Sequence, residues 1–252
     1  MADIERPLDG DLAQTPSIID FDTVDFTPVQ DALAKGLISR AKMKLNGQTP
    51  NPITHSEMID LASRYTGIAP EMFNRELTNY SFRQTQEILE TSGVIAARHL
   101  TATALVNNEF SPELAEMRIE ALVSDLPNMD VRSGDSQELM QYSTPLHMGL
   151  LAQKTLGIQP GDQRSVWEPT MGNGALLTMI NPENISGIEL DPKRVQRLNA
   201  QGVNAIQGNA IDTTAVKARS KDVVVMNPPF GQLPDEHRKG TKGLTYYNIL
   251  AR

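Results

Sequence analysis

The sequence predicts an α/β fold in which a short parallel sheet follows a long run of helices. Three observations predict it. Apolar residues recur at helical spacing as far as about residue 126. From residue 165 onward, short apolar runs alternate with helical segments, the pattern of a parallel sheet with crossover helices. The last run, Val223-Val224-Val225, is β-branched throughout and stops at Asn227-Pro228-Pro229, where prolines cannot donate ladder hydrogen bonds. Such a continuous run reads as a strand buried on both faces.

Composition sets the outer limits. The 252 residues suffice for one large domain or two small ones, and 39% hydrophobic content permits a packed core. The chain has no cysteine, which excludes disulfides, thiolate zinc sites and cysteine nucleophiles. The start, Met1-Ala2-Asp3-Ile4-Glu5, lacks the basic region and apolar run of a secretory signal. No stretch approaches the ~20 apolar residues of a membrane span. A soluble, cytoplasmic chain is expected. The net charge of −8 argues against a broad, sequence-independent clamp on nucleic acid. It leaves room for a nucleic-acid substrate held by a local basic surface.

In chain order, residues 1–25 are acidic and carry Pro7, Gly10 and Pro16, which reads as a flexible tail or as an arm that orders on a partner. A helical domain is expected over 26–130. Thr27-Pro28 resembles a cap and first-turn proline opening a helix to about Leu45. Thr54 or Ser56 caps a second helix ending near Gly67. Helical spacing runs from Pro70 to about Thr91, in one piece or two, and again from Gly93 to Val106. Ser111-Pro112 opens a helix to about Leu126, with Glu113 in its first turn. This half shows no constellation that points to chemistry. His55 and His99 stand alone, whereas a zinc site needs three or four convergent ligands. Residues 128–137 form a polar linker, and an α/β domain is expected over 136–252.

Thr144-Pro145 again resembles a helix start, for a helix ending at Gly157. Its position just ahead of the first strand suggests a further role. Ser165 to Glu168 is that strand, followed by a glycine turn through Thr170, Gly172 and Gly174 and a helix over Ala175 to Ile180. The turn is neither G-x-G-x-x-G nor a phosphate loop. Glu168 at the strand end would repel a pyrophosphate and suits a ligand bearing an amino group. The second strand starts at Ile185 and puts Glu189 at its carboxyl end, at the offset where an acid holds ribose hydroxyls in nucleoside sites. Pro192 starts the next helix. Val203 to Gln207 is a third strand, with Asn209 after it and Asp212 close behind. Asn227 follows the fourth. The four strand ends line one edge of a sheet, where open α/β folds bind ligands.

The residues at the fourth strand end have a chemical logic. The amine of a nucleobase or an amide is a poor nucleophile because its lone pair is delocalised. The side-chain oxygen of Asn227 and the carbonyl of Pro228 would accept from its two hydrogens. Proline's fixed φ, here at Pro228 and Pro229, holds that carbonyl rigidly. Phe230 offers a flat face to a planar substrate. The plainer alternative is a proline-rich turn with Phe230 in the core.

Together these segments resemble the S-adenosylmethionine-dependent N6-adenine DNA methyltransferases, over about residues 136–232. The resemblance implies a Rossmann-like methyltransferase sheet preceded by an all-helical domain. It implies S-adenosylmethionine as cofactor, DNA as partner, and no metal. Glu168, Thr170, Gly172 and Gly174 look like the cofactor motif, and Glu189 looks like the ribose-binding acid. Asn227-Pro228-Pro229-Phe230 looks like the catalytic motif, with Asn227 also next to the cofactor. Tyr142-Ser143-Thr144-Pro145 looks like the segment that closes over the methionine end. Asn209 stands where the family usually has an aspartate against the cofactor's adenine. The family sheet has seven strands and this chain supplies four before it ends at Arg252, so the sheet is expected to be incomplete. Large phage and plasmid anti-restriction proteins that join a methyltransferase to a helicase-like region resemble this arrangement. Such a protein acts in the bacterial host cell or travels in a phage particle, and further segments or subunits would complete the sheet and recognise the target.

Two other readings use the same residues. Methyltransferases acting on a protein glutamine or on ribosomal RNA also carry Asn-Pro-Pro motifs. A non-catalytic methyltransferase-like module of a phage or mobile-element assembly is the third reading. The run His237-Arg238-Lys239-Gly240-Thr241-Lys242 is the most basic in the chain. It reads either as a loop that contacts substrate phosphates or as a solvated surface loop.

Overall fold

The computed structural model describes residues 24–73, 79–106, 112–126, 143–211 and 220–229. They form a mostly helical α/β structure with a four-stranded parallel sheet. The expected tail, the linker at 128–137 and the Ser111 cap lie outside the described residues.

Helix α1 (Thr27–Leu45) starts one residue earlier than a Thr27 cap implies. Phe26 holds the cap position without a side-chain bond, and Asp25 Oδ1 accepts from the Thr27 amide instead. Helix α2 (His55–Thr66) is capped by Thr54, not Ser56. The Thr54 hydroxyl accepts from the Glu57 amide while the Glu57 carboxylate reaches back to the Thr54 amide, a capping box. Gly67 ends the helix at φ 72°, a left-handed conformation that glycine adopts without penalty.

A 3₁₀ turn (Pro70–Phe73) leads to helix α3 (Asn79–Val106), which runs unbroken through Gly93. The sequence divides this stretch at Gly93. The helix accommodates the glycine, and a Cβ there would make only ordinary contact, 3.4 Å from a Leu126 methyl. Helix α4 (Pro112–Val123) gives way to a turn before Leu126. Helix α1 packs on α3 and α4, and Phe26 meets Phe73 edge-on at 6.5 Å.

Helix α5 (Leu146–Thr155) precedes strand β1 (Val166–Glu168). Strand β2 (Ile185–Glu189) follows a 3₁₀ turn at Pro182–Asn184. Helix α6 (Pro192–Ala200) is capped by Asp191, whose carboxylate accepts from the Lys193 and Arg194 amides. Strands β3 (Asn204–Gln207) and β4 (Val223–Val224) complete the sheet in the order β3-β2-β1-β4, all parallel. Val166 pairs with Ile185 on one side and Val223 on the other. The chain therefore moves outward from β1 through β2 to β3, then returns to place β4 on the far side of β1. That makes β1/β4 the topological switch point, where a crevice opens at the carboxyl ends.

Two expectations are corrected. Strands β1 and β2 are buried throughout, but β4 is not: Val224 is 51% exposed. Among the described residues β4 pairs only with β1 and forms an edge of the sheet. The helix expected over Ala175 to Ile180 is a single 3₁₀ turn, Ala175–Leu177. Tertiary partners take the backbone groups a helix would use. Buried Gln153 accepts from the Met179 amide at 2.7 Å, and the Met179 carbonyl accepts from the Gly161 amide at 2.7 Å. Gly149 of α5 lets that turn approach, because a Cβ there would sit 2.1 Å from the Ala175 carbonyl oxygen.

One continuous apolar core joins Leu37, Ile88 and Leu100 of the helices to Leu146, Leu177, Ile185 and Val225. Among the described residues no helix is long and apolar enough to cross a membrane.

Candidate functional site

The carboxyl ends of β1 and β4 lie side by side, with the Val225 amide bonded to the Trp167 carbonyl at 3.1 Å. Beyond Glu168 the chain doubles over β2, and the Met171 amide donates to the Ile188 carbonyl at 2.9 Å. Gly187 makes this possible. A Cβ there would lie 2.0 Å from the Glu168 carbonyl oxygen and 2.7 Å from Met171 Cγ. Gly172 follows at φ 54°, with only the tip of Arg194 near its missing side chain.

A cavity of about 40 Å³ opens here. It brings together Thr144, Glu168, Thr170, Gly172 and Asn227 of the residues singled out from the sequence. The Asn227 side-chain amide donates to the Thr144 hydroxyl at 3.0 Å. This explains why Thr144 caps nothing: Pro145 takes the cap position of α5, without a side-chain bond.

Glu168 is 1% exposed, and its Oε2 has no hydrogen-bond partner. Neither does the Thr170 hydroxyl, also buried at the oxygen. Burial pushes the Glu168 carboxyl well above the usual carboxylate range, Arg98 pulls the other way, and Glu189 adds to the rise. Arg98 is itself buried, and burial lowers it to about 10. Its guanidinium donates to Gln201 at 2.7 Å and, more weakly, to the Gly174 carbonyl at 3.4 Å.

Other singled-out residues stand beside the cavity rather than in it. Glu189 braces the glycine turn: one carboxylate oxygen accepts from the Gly172 amide at 2.7 Å and the other from the Asp191 amide at 2.9 Å. Burial raises its pKa while Arg194 opposes. Two of a carboxylate's roughly four acceptor positions remain. Asn209 accepts from the Ile211 amide at 3.2 Å, a local turn after β3. Gly174, at φ 79°, gives Arg98 room, since a Cβ would lie 2.6 Å from that guanidinium. Pro228 is buried and Pro229 half-buried. Tyr142, Asp212, Phe230 and the basic run at 237–242 lie outside the described residues.

Helix α3 carries polar residues of this region that sequence reasoning missed. Glu87, Glu90, Thr91 and Arg98 form a polar stripe along one side of this helix, and Glu90, Thr91 and Arg98 hydrogen-bond to the glycine turn at Asn173 and Gly174. Arg194 of α6 clasps Glu87 with two bonds, at 2.9 and 2.7 Å, and Arg197 adds a third at 3.2 Å. Burial works against the Glu87 charge, but Arg194, these bonds and Arg197 hold its pKa down to about 2. Glu90 lines the cavity. Asn173 of the glycine turn donates to it at 3.1 Å, and Ser143 also hydrogen-bonds it. Burial first, then the Glu87 charge, push Glu90 up to about 7. The i, i+3 spacing of Glu87 and Glu90 was the available signal, but charged residues on a helix ordinarily mark its solvent face.

The donor set can be tested against S-adenosylmethionine. Unpartnered acceptors at Glu168 and Thr170 suit the amino group of its methionine end. About 40 Å³ holds such a head group and a water or two, since one water needs ~10–15 Å³. Pockets for larger ligands measure ~300–1,000 Å³, so an adenosine must extend beyond this cavity. A second cavity of about 400 Å³ lies along the other end of α3, near Ile95, His99, Ala102 and Met179. None of the singled-out site residues lines it. No protein-family model, curated protein or solved structure matches the chain.

Proposed function

We propose that the chain transfers a methyl group from S-adenosylmethionine to the N6 amine of adenine in DNA. It would do so as the methyltransferase part of a larger modification or anti-restriction protein in the bacterial cytoplasm. The strand order β3-β2-β1-β4 supports a Rossmann-like methyltransferase sheet. The observation that carries the reading is the cavity at the switch point, which Glu168, Thr170, Thr144 and Asn227 line together.

When bound, the cofactor supplies an electrophilic methyl group on a sulfonium. Glu168 and Thr170 hold its amino end, and Gly172 lets the ligand approach the backbone closely. Thr144 fixes the Asn227 amide through its nitrogen. The Asn227 side-chain oxygen and the Pro228 carbonyl accept hydrogen bonds from the target amine and raise its nucleophilicity. The role expected from the sequence for Phe230, which lies outside the described residues, is to stack on the extruded base. Positioning supplies much of the rate.

The test is incubation with S-adenosylmethionine carrying a labelled methyl group and double-stranded DNA, followed by digestion to nucleosides. Label in N6-methyladenine is expected, and Asn227→Ala should cut it at least ~100-fold, the usual cost of losing an oriented hydrogen-bonding group. Label appearing only in RNA or in protein glutamine would overturn the DNA reading. The small cavity and the occupied Glu189 oxygens favour one other reading, a methyltransferase-like module without turnover. Cofactor binding without transfer to any acceptor would select it.

A further inference from the structure

Helix α3 contributes an acid to the cavity that no strand-end motif contains. Glu90 lines the cavity and accepts from Asn173 of the glycine turn at 3.1 Å. Glu87, one turn earlier, takes both arginines of α6. The hydrogen bonds to Glu90 come from neutral donors, the Asn173 amide and the Ser143 hydroxyl. Glu168, on the same cavity, is 1% exposed and its Oε2 is unpartnered. The Thr170 hydroxyl is a third acceptor, also unpartnered. Three convergent acceptors, two of them carboxyl groups without a hydrogen-bonded cation among the described residues, match the three N–H donors of a primary ammonium.

We propose that Glu90 is a ligand-contacting residue which, with Glu168 and Thr170, receives the primary ammonium group of an amino-acid-like ligand. This rests on reading the cavity as the site for the methionine end of S-adenosylmethionine. It adds a residue from outside the sheet and makes binding proton-linked. The groups around Glu90 are Glu87 on its own helix, Arg194 on α6, Ser143 ahead of α5 and Asn173 in the glycine turn, with Glu168, which Arg98 influences, on the same cavity. With its pKa raised to about 7, Glu90 is mostly protonated at pH 6. An arriving ammonium favours the carboxylate, so binding expels a proton and tightens as pH rises.

The experiment is calorimetric titration of the chain with S-adenosylmethionine at pH 6, 7 and 8, in buffers of different ionisation enthalpy. The wild type should bind at least ~10-fold more tightly at pH 8 than at pH 6, since Glu90 near 7 gives about one proton of linkage and the raised Glu168 carboxyl adds to it. Glu90→Gln should bind ~10-fold more weakly at pH 8 with a flatter profile and less proton release. A weakened but equally steep profile would mark a merely structural role and overturn the proposal, as would unchanged affinity. If Glu90→Gln does not fold, Glu90→Asp keeps the carboxyl and should shift the midpoint of the profile; an unmoved midpoint with unchanged affinity overturns it. A folded wild type that binds nothing sinks the cofactor reading itself, a result distinct from binding that ignores Glu90.

Discussion

At the scale of single residues, Glu87 and Glu90 show how environment separates two identical side chains one helical turn apart. Glu87 faces two guanidinium groups, and Glu90 faces an amide, a hydroxyl and a cavity. Their pKa values move in opposite directions from the ordinary glutamate value, to about 2 and about 7. The sign matters for stability. Glu87 is depressed on folding, so its contribution is present above the ordinary glutamate pKa and is lost as pH falls toward 2. Glu87→Gln should therefore destabilise the chain by about 3 kcal/mol near neutral pH, because it leaves buried guanidinium groups unpaired. The melting-temperature gap to wild type should narrow as pH falls from about 5 to about 2. A gap independent of pH would show that the charge of Glu87 contributes nothing.

At the scale of elements, two glycines decide where the strand ends can go. Gly187 lets the end of β1 fold onto β2, and Gly149 lets α5 press against the turn after Gly174. Gly187→Ala would force a Cβ into the Glu168 carbonyl and should cost ~1–3 kcal/mol, as overpacking does. It should also displace Glu168, so cofactor binding should fall by more than the loss of stability explains. A variant that melts lower but binds normally would separate the two effects.

The same elements show what a sequence conveys. The strands, their ends and the place of Thr144 just ahead of them follow from local signals: β-branched runs, prolines and glycines. Gln153 is different. It dissolves an expected helix over Ala175 to Ile180 by capturing the Met179 amide, an interaction between residues that no local pattern links. The role of α3 was hidden for a related reason. Its polar stripe looks like a solvent face until α6 supplies the arginines.

At the scale of the whole molecule, net charge of −8 has to be reconciled with the proposed DNA substrate. The expected grip is local, through the basic run at 237–242. Replacing Arg238, Lys239 and Lys242 together with Ala should weaken DNA binding and flatten its dependence on salt, by up to about one unit of slope for each phosphate no longer neutralised. Unchanged affinity and slope would assign the run to solvent.

The central claim is that the cavity at the β1/β4 switch point receives S-adenosylmethionine. Calorimetric binding of S-adenosylmethionine to the purified chain tests it most directly, with Glu168→Gln and Asn227→Ala alongside. The expected result is saturable binding by the parent, loss of most of it in Glu168→Gln, and affinity within a few-fold of the parent in Asn227→Ala. A folded parent that does not bind, or a Glu168→Gln variant that binds as the parent does, would contradict the claim.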